Sequence, residues 1–132
     1  KKIASPDVKK LYMEEVLSDK YDLVAYEEAL HVRKELINSY NQLFIKQNIR
    51  ALIFPTLAVL PLRSDDQNAS IDKYIRNTDP GSNAGIPGLS LPMGFSRTEK
   101  LPVGLELDAM HNNDQLLLAI GLLIEKELDK TN

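Results

Sequence analysis

Arg76-Asn77-Thr78-Asp79-Pro80-Gly81-Ser82-Asn83-Ala84-Gly85-Ile86-Pro87-Gly88-Leu89-Ser90-Leu91-Pro92 is the stretch on which the fold turns. From Asn77 to Gly88 it is dominated by small and turn-forming residues, which punctuate regular structure. Gly81, Gly85 and Gly88 permit close approach of the backbone to a ligand or to another segment. Asp79 and Asn83 carry side chains that hydrogen-bond nearby backbone in tight turns. Two roles stay open for this segment: a tight structural crossover, or a loop that places N–H groups near a polar substrate. Leu89 to Phe95 then reads as a strand, and Val103 to Leu107 as a second one. Joined by the charged link Ser96 to Pro102, the two suit an antiparallel hairpin.

Upstream, Ala51-Leu52-Ile53-Phe54 is a short, wholly apolar run stopped by Pro55. It reads as a buried strand of the kind found in the middle of an α/β sheet. Thr56 to Arg76 is the least regular part; it holds Pro61 and the polar cluster Ser64 to Asn68, with a helical turn or two over Ala69 to Ile75. A connection this long is usually functional or mobile. Before the strand, Leu23, Tyr26, Leu30, Leu36, Ile37, Tyr40, Leu43 and Phe44 recur close to helical spacing, predicting a helix over Asp22 to Gln47. At about 1.5 Å per residue it is about 40 Å long, which suggests a larger body to pack against. Ser5-Pro6-Asp7 is a helix-start signal, with a helix expected to Leu17 and a link at Ser18 to Lys20. Downstream, Asn112, Asn113 and Asp114 offer caps for a last helix over Gln115 to Asp129. Its start is apolar nearly all round, which predicts burial on several sides.

The fold class is therefore α/β, a mixed sheet packed with helices: residues 1–50 helical, residues 51–132 carrying strands, crossover loop and final helix. With 132 residues and 43% hydrophobic residues the chain suits one domain with a real core rather than disorder. A net charge of -3 without a basic patch points away from nucleic acid, and no charge block points to a membrane surface. The longest apolar run, Leu116 to Ile124, is too short to span a bilayer. The absence of cysteine excludes disulfides and thiolate chemistry and fits a reducing compartment, so a cytoplasmic location is expected. No signal peptide is visible, and a start at Lys1 rather than Met suggests a truncated or processed product.

Chemistry is scarce. Ser82 and Ser90 both lie near glycines, but neither forms a G-x-S-x-G elbow, because Ser82 directly follows Gly81 and Pro92 takes the last Gly position. Only His31 and His111 are available as bases, and nothing in the pattern pairs either with a serine. Two isolated histidines give no metal-ligand spacing, and Asp65, Asp66 and Asp72 lack that of a calcium loop. Glu14-Glu15 and Glu27-Glu28 are helix-surface pairs. Glu106 and Asp108 alternate along a strand, where burial or a close like charge is needed before either pKa moves.

The opening stretch, followed by Gly94-Phe95 and by Leu101-Pro102-Val103-Gly104-Leu105-Glu106-Leu107, resembles the closing part of amidase-signature enzymes. The family pattern is N-x-A-G-x-P, an apolar strand, a P-x-G turn, then L-P-V-G and a second strand. The form R-N-T-D-P-G-S-N-A-G-I-P-G, with the later G-L-E-L-D, resembles the branch of mandelamide and indoleacetamide hydrolases in particular. Phe54-Pro55-Thr56 and the helix from Leu116-Leu117 to Glu125 resemble two further family features, so the likeness runs from about Tyr21 to Glu125.

That resemblance implies the C-terminal portion of the amidase-signature fold, with residues 1–132 as a fragment of one domain. It implies hydrolysis of a carboxamide to a carboxylate and ammonia without cofactor or metal. The family uses a lysine acting through a bridging serine, held by a cis peptide, on a nucleophilic serine; backbone N–H groups hold the oxyanion. Those residues belong to a glycine- and serine-rich N-terminal part, and no G-G-S-S-G stretch exists here. No catalytic residue is therefore assigned, and Lys9, Lys10 and Lys73 are not promoted to the role. The loop from Thr56 to Asn83 is the expected pocket wall, with Thr56, Asp79 and Asn83 as substrate-binding residues. The expected partners are a small amide substrate and the missing N-terminal part of the same protein, or a second copy that covers exposed apolar surface. Two alternatives are a fragment of an amidotransferase, against which the R-N-T-D-P-G-S form argues, and a non-catalytic interaction domain with the same fold.

Overall fold

A computed structural model describes residues 5–11, 13, 22–63 and 71–130. The chain divides into two compact units, Lys1–Val32 and Arg33–Asn132. The first holds α1 (Pro6–Leu11), where the Val8 N–H is 3.4 Å from Ser5 Oγ, and the opening turns of α2 (Leu23–Lys46). Asp22 caps α2 as its side chain suggests: Oδ1 accepts from the N–H groups of Val24 and Ala25 at 3.0 and 3.1 Å. The continuation of α1 to Leu17, the link at Ser18 to Lys20, the pair Glu14-Glu15 and the cluster Ser64 to Asn68 lie outside the described residues.

In the second unit, two residues beyond the end of α2, Asn48 is left-handed with a φ of 51°. The Ile49 N–H reaches back to the Phe44 carbonyl at 3.0 Å, and the Asn48 N–H to Ile45 at 3.3 Å. These bonds satisfy carbonyls that a helix end leaves open. Then follow β1 (Leu52–Pro55), α3 (Ile71–Ile75), α4 (Asp79–Ala84), β2 (Gly88–Phe95), β3 (Pro102–Asp108) and α5 (Asp114–Leu128). The sheet order is β1-β3-β2, both pairings antiparallel, so the expected hairpin is present. A bulge at Met93 shifts the register between Pro92 and Gly94. Gly94 absorbs it with a φ of 115°, a conformation side chains disfavour.

Three expectations need correction. β1 is an edge strand, not a central one: β3 is its partner, and Ile53 is 54% exposed. Its apolar run reflects suitability for cover on both faces, which this chain supplies on one only. Second, α5 is not buried on several sides. Leu117 packs on the sheet, whereas Leu118, Leu122 and Leu123 are exposed. Third, the glycine-rich stretch is not all loop, because Asp79–Ala84 is helical. Pro80 sits in the first turn, where its missing N–H costs nothing. Gly85, left-handed at φ 70°, closes the helix: its N–H bonds Ser82 O and the next N–H, of Ile86, bonds Gly81 O, both at 3.2 Å.

Strand alternation divides the sheet into two faces. Leu91, Leu107 and Ala109 form the core with Leu117 of α5, flanked by Leu89, Leu105, Ile120 and Ile124. Leu107 is fully buried, a gain of roughly 1.5–3 kcal/mol for such a side chain. Gly121 lets α5 lie directly on the Leu89 side chain. On the opposite face stand Gly104, Glu106 and Asp108 of β3, with Gly88 and Ser90 of β2 in register beside Asp108 and Glu106.

Candidate functional site

The face turned away from α5 collects the polar groups. Glu106 and Asp108 alternate with the core residues of β3, so both point here, and both are buried. Asp108 is only 4% exposed. A Cβ on Gly88 would lie 3.0 Å from Glu106 Oε1 and 3.1 Å from Asp108 Oδ1. A Cβ on Gly81 would lie 2.8 Å from Asp108 Oδ2. Bare glycines on β2 and α4 thus make the room that the carboxylates occupy. Among the described residues no group hydrogen-bonds Asp108 Oδ2.

Such burial is costly for a charge. It pushes the Asp108 carboxyl up to about 6, and the neighbouring Glu106 carboxylate adds to the shift. Burial also raises the Tyr40 phenol of α2, with the charge of Asp108 as the second cause. Neither cause is visible in a sequence, which shows only alternation. Asp108 is packed against the backbone of α4, so it supports the segment that carries Asp79 and Asn83.

Four contacts fix that segment and the strand end beside it. Asn77 Nδ2 donates to the Pro55 carbonyl at 2.7 Å, tying the approach to α4 to the end of β1. Asn83 Nδ2 donates to the Asp79 carbonyl at 3.0 Å, one turn back. Arg33 Nε donates to the Asn83 carbonyl at 2.8 Å. His111 Nδ1 bonds the Gly85 carbonyl at 2.8 Å, so this imidazole secures a helix end. Tyr74 of α3 accepts the Leu62 N–H at 2.9 Å and holds the loop that follows Thr56.

Thr56 itself is half-buried just beyond β1. Its N–H bonds the Gly104 carbonyl at 2.9 Å, and its Oγ1 pairs with Ser90 Oγ at 2.5 Å. The three residues singled out from sequence therefore fall in two groups. Asp79 and Asn83 share α4 and a hydrogen bond; Thr56 joins Ser90 and Gly104 on the sheet. Asn77 and Arg33 enter the site only through tertiary contacts, as do Ser90 and His111, which the sequence suggests only as an unpaired nucleophile and base. Ser90 reaches the site through its register with Glu106, which puts both on one face and which the Gly88-Leu89-Ser90-Leu91-Pro92 motif alone does not show. Among the described residues no group of three or more His, Cys, Asp or Glu is placed to hold a metal.

The family model described as amidase matches residues 6–118. The chain belongs to the amidase family. This amidase chain is 38% identical to a mandelamide hydrolase of Pseudomonas putida, with 97% of the chain and 28% of that enzyme covered. It is 36% identical to an indoleacetamide hydrolase of Agrobacterium vitis, with 98% of the chain and 30% of that enzyme covered. Its fold matches a solved structure of glutamyl-tRNA(Gln) amidotransferase from Thermotoga maritima, in its A-type polypeptide, at a TM-score of 0.64 and 25% identity, covering 84% of this chain and 25% of that one. A second solved structure, described as an amidase, matches at a TM-score of 0.70 and 24% identity, covering 93% of this chain and 29% of that one. The amidase chain thus spans under a third of the length of these relatives, and its helices and antiparallel sheet form part of the amidase fold.

Proposed function

We propose that this chain is the C-terminal, pocket-wall portion of an enzyme that hydrolyses a small carboxamide to a carboxylate and ammonia. The observation that carries the proposal is the likeness to mandelamide hydrolase over 97% of the chain, together with the Asn77 bridge that joins the end of β1 to the approach of α4. That bridge ties the Phe54-Pro55-Thr56 strand end to the signature stretch, which supports reading Thr56 and the α4 pair Asp79 and Asn83 as two parts of one wall. Hydrolysis proceeds through a nucleophilic serine, a bridging serine and a lysine that lie outside these 132 residues.

The substrate class follows the mandelamide and indoleacetamide hydrolases: a primary amide on a small aromatic acyl group. A cytoplasmic location belongs to the same proposal and is supported by the lack of cysteine. The remainder of the polypeptide is the first partner, covering apolar surface that this chain leaves open. The gene upstream of Lys1 should encode a G-G-S-S-G stretch, and the whole protein should release ammonia from mandelamide or indoleacetamide. A whole protein that has the stretch yet turns over neither amide would contradict the substrate class. One without the stretch would contradict the mechanism.

A further inference from the structure

Resting on that functional reading, we infer that Ser90 and Thr56 form one hydrogen-bonding station for the carboxamide substrate, with Ser90 a binding residue in its own right. Ser90 Oγ and Thr56 Oγ1 are 2.5 Å apart, although 34 positions separate them in sequence. They meet because β1 and β2 flank β3, and because Gly104 between them has no side chain. A Cβ there would lie 2.7 Å from Thr56 Oγ1 and 3.0 Å from Ser90 Oγ. The glycine thus keeps a seat open for two hydroxyls.

The chemistry of the couple suits an amide. A hydroxyl has one proton and two lone pairs. When one hydroxyl of the couple donates to the other, the second keeps its own O–H for a third atom, and lone pairs remain on both. The couple therefore offers one donor and more than one acceptor, the complement of a carboxamide with its C=O and NH2. It is also within reach of a ligand. Ser90 is exposed and borders an open cleft of about 660 Å³ together with Pro92, Phe95, Pro102, Gly104 and, at the end of α5, Asp129. Gly104 borders a second cleft, formed with the Leu57 to Pro61 loop that follows Thr56. Polar groups few in number, in a largely apolar cleft, are what fixes the orientation of a small ligand. Each hydroxyl has the other as its side-chain partner rather than a base, so the couple binds and orients rather than attacks.

The test is steady-state kinetics of the whole enzyme on mandelamide and indoleacetamide, with Ser90→Ala, Thr56→Val, Thr56→Ser and the Ser90→Ala/Thr56→Val double variant. Ser90→Ala and Thr56→Val should each raise KM by about tenfold with a smaller change in kcat, as expected for loss of ground-state binding. Thr56→Ser, which keeps the hydroxyl, should stay within about twofold of the parent. The double variant should be little worse than either single one, because the two hydroxyls act as a unit. Active variants whose KM matches the parent overturn the inference while leaving the amidase reading intact. Additive losses, or a Thr56→Ser variant as poor as Thr56→Val, overturn it as well, since packing alone would then explain them. A parent enzyme that hydrolyses neither amide overturns the functional reading and this inference together.

Discussion

Asp108 and Gly81 are in direct contact: the carboxyl oxygen Oδ2 lies where a side chain on Gly81 would begin, 2.8 Å from an added Cβ. Asp108 is buried and Gly81 lies in α4, so neither side yields easily. Gly81→Ala should therefore destabilise the protein by about 1–3 kcal/mol, the usual cost of overpacking. Denaturant unfolding checks this. In an Asp108→Ala background the same substitution should cost much less, because the clashing atom is gone.

The raised pKa of Asp108 fixes the sign of a pH effect. Its folded value of about 6 lies above the ordinary 3.8, so the folded state holds the proton more tightly than the unfolded state. The contribution to stability is fully present below about 3.8 and is lost as pH rises through about 6. Asp108→Asn removes this loss. Relative to the parent, the variant should gain about 1–2 kcal/mol between pH 4 and pH 8, measured as the difference of two unfolding curves at each pH.

How far the sequence was legible depended on the reach of each signal. α2, β2, β3 and α5 were readable to within a residue or two because each carries its own periodicity, and the hairpin was readable because its strands adjoin in sequence. α4 was not, since Pro80, Gly81 and Asn83 favour turns locally; its helix is completed by the left-handed Gly85 and by Arg33, 50 positions away. The edge position of β1 depends on pairing with β3, which an apolar run of four does not reveal. At the candidate site Thr56 was read from a motif, but its partner Ser90 arrives through the strand register.

The sheet core rests on α5. Leu117 is 3% exposed and sits in the centre of the cluster with Leu91, Leu107 and Ala109. Leu117→Ala should lower stability by about 2–4 kcal/mol through lost burial and the cavity left behind. Leu118→Ala, one position along and exposed, should change it by less than about 0.5 kcal/mol. Thermal or chemical unfolding of the two variants separates the buried stripe from the open one.

Leu118, Leu122 and Leu123 together present an apolar stripe on α5. In the isolated chain this surface should bind a hydrophobic dye or drive self-association. Replacing Leu118 and Leu122 by Asp should reduce both, as read by dye fluorescence and light scattering. An isolated parent chain that is monodisperse, monomeric and dye-free would contradict the expectation that another part of the protein covers this stripe.

These residues are proposed to form a wall of an amidase whose chemistry lies elsewhere in the polypeptide. Ammonia release from mandelamide and indoleacetamide by the purified 132-residue chain, beside the same assay on the polypeptide extended upstream, tests it most directly. No turnover is expected from the chain alone, and clear turnover from the extended protein. Turnover by the 132-residue chain alone would contradict it.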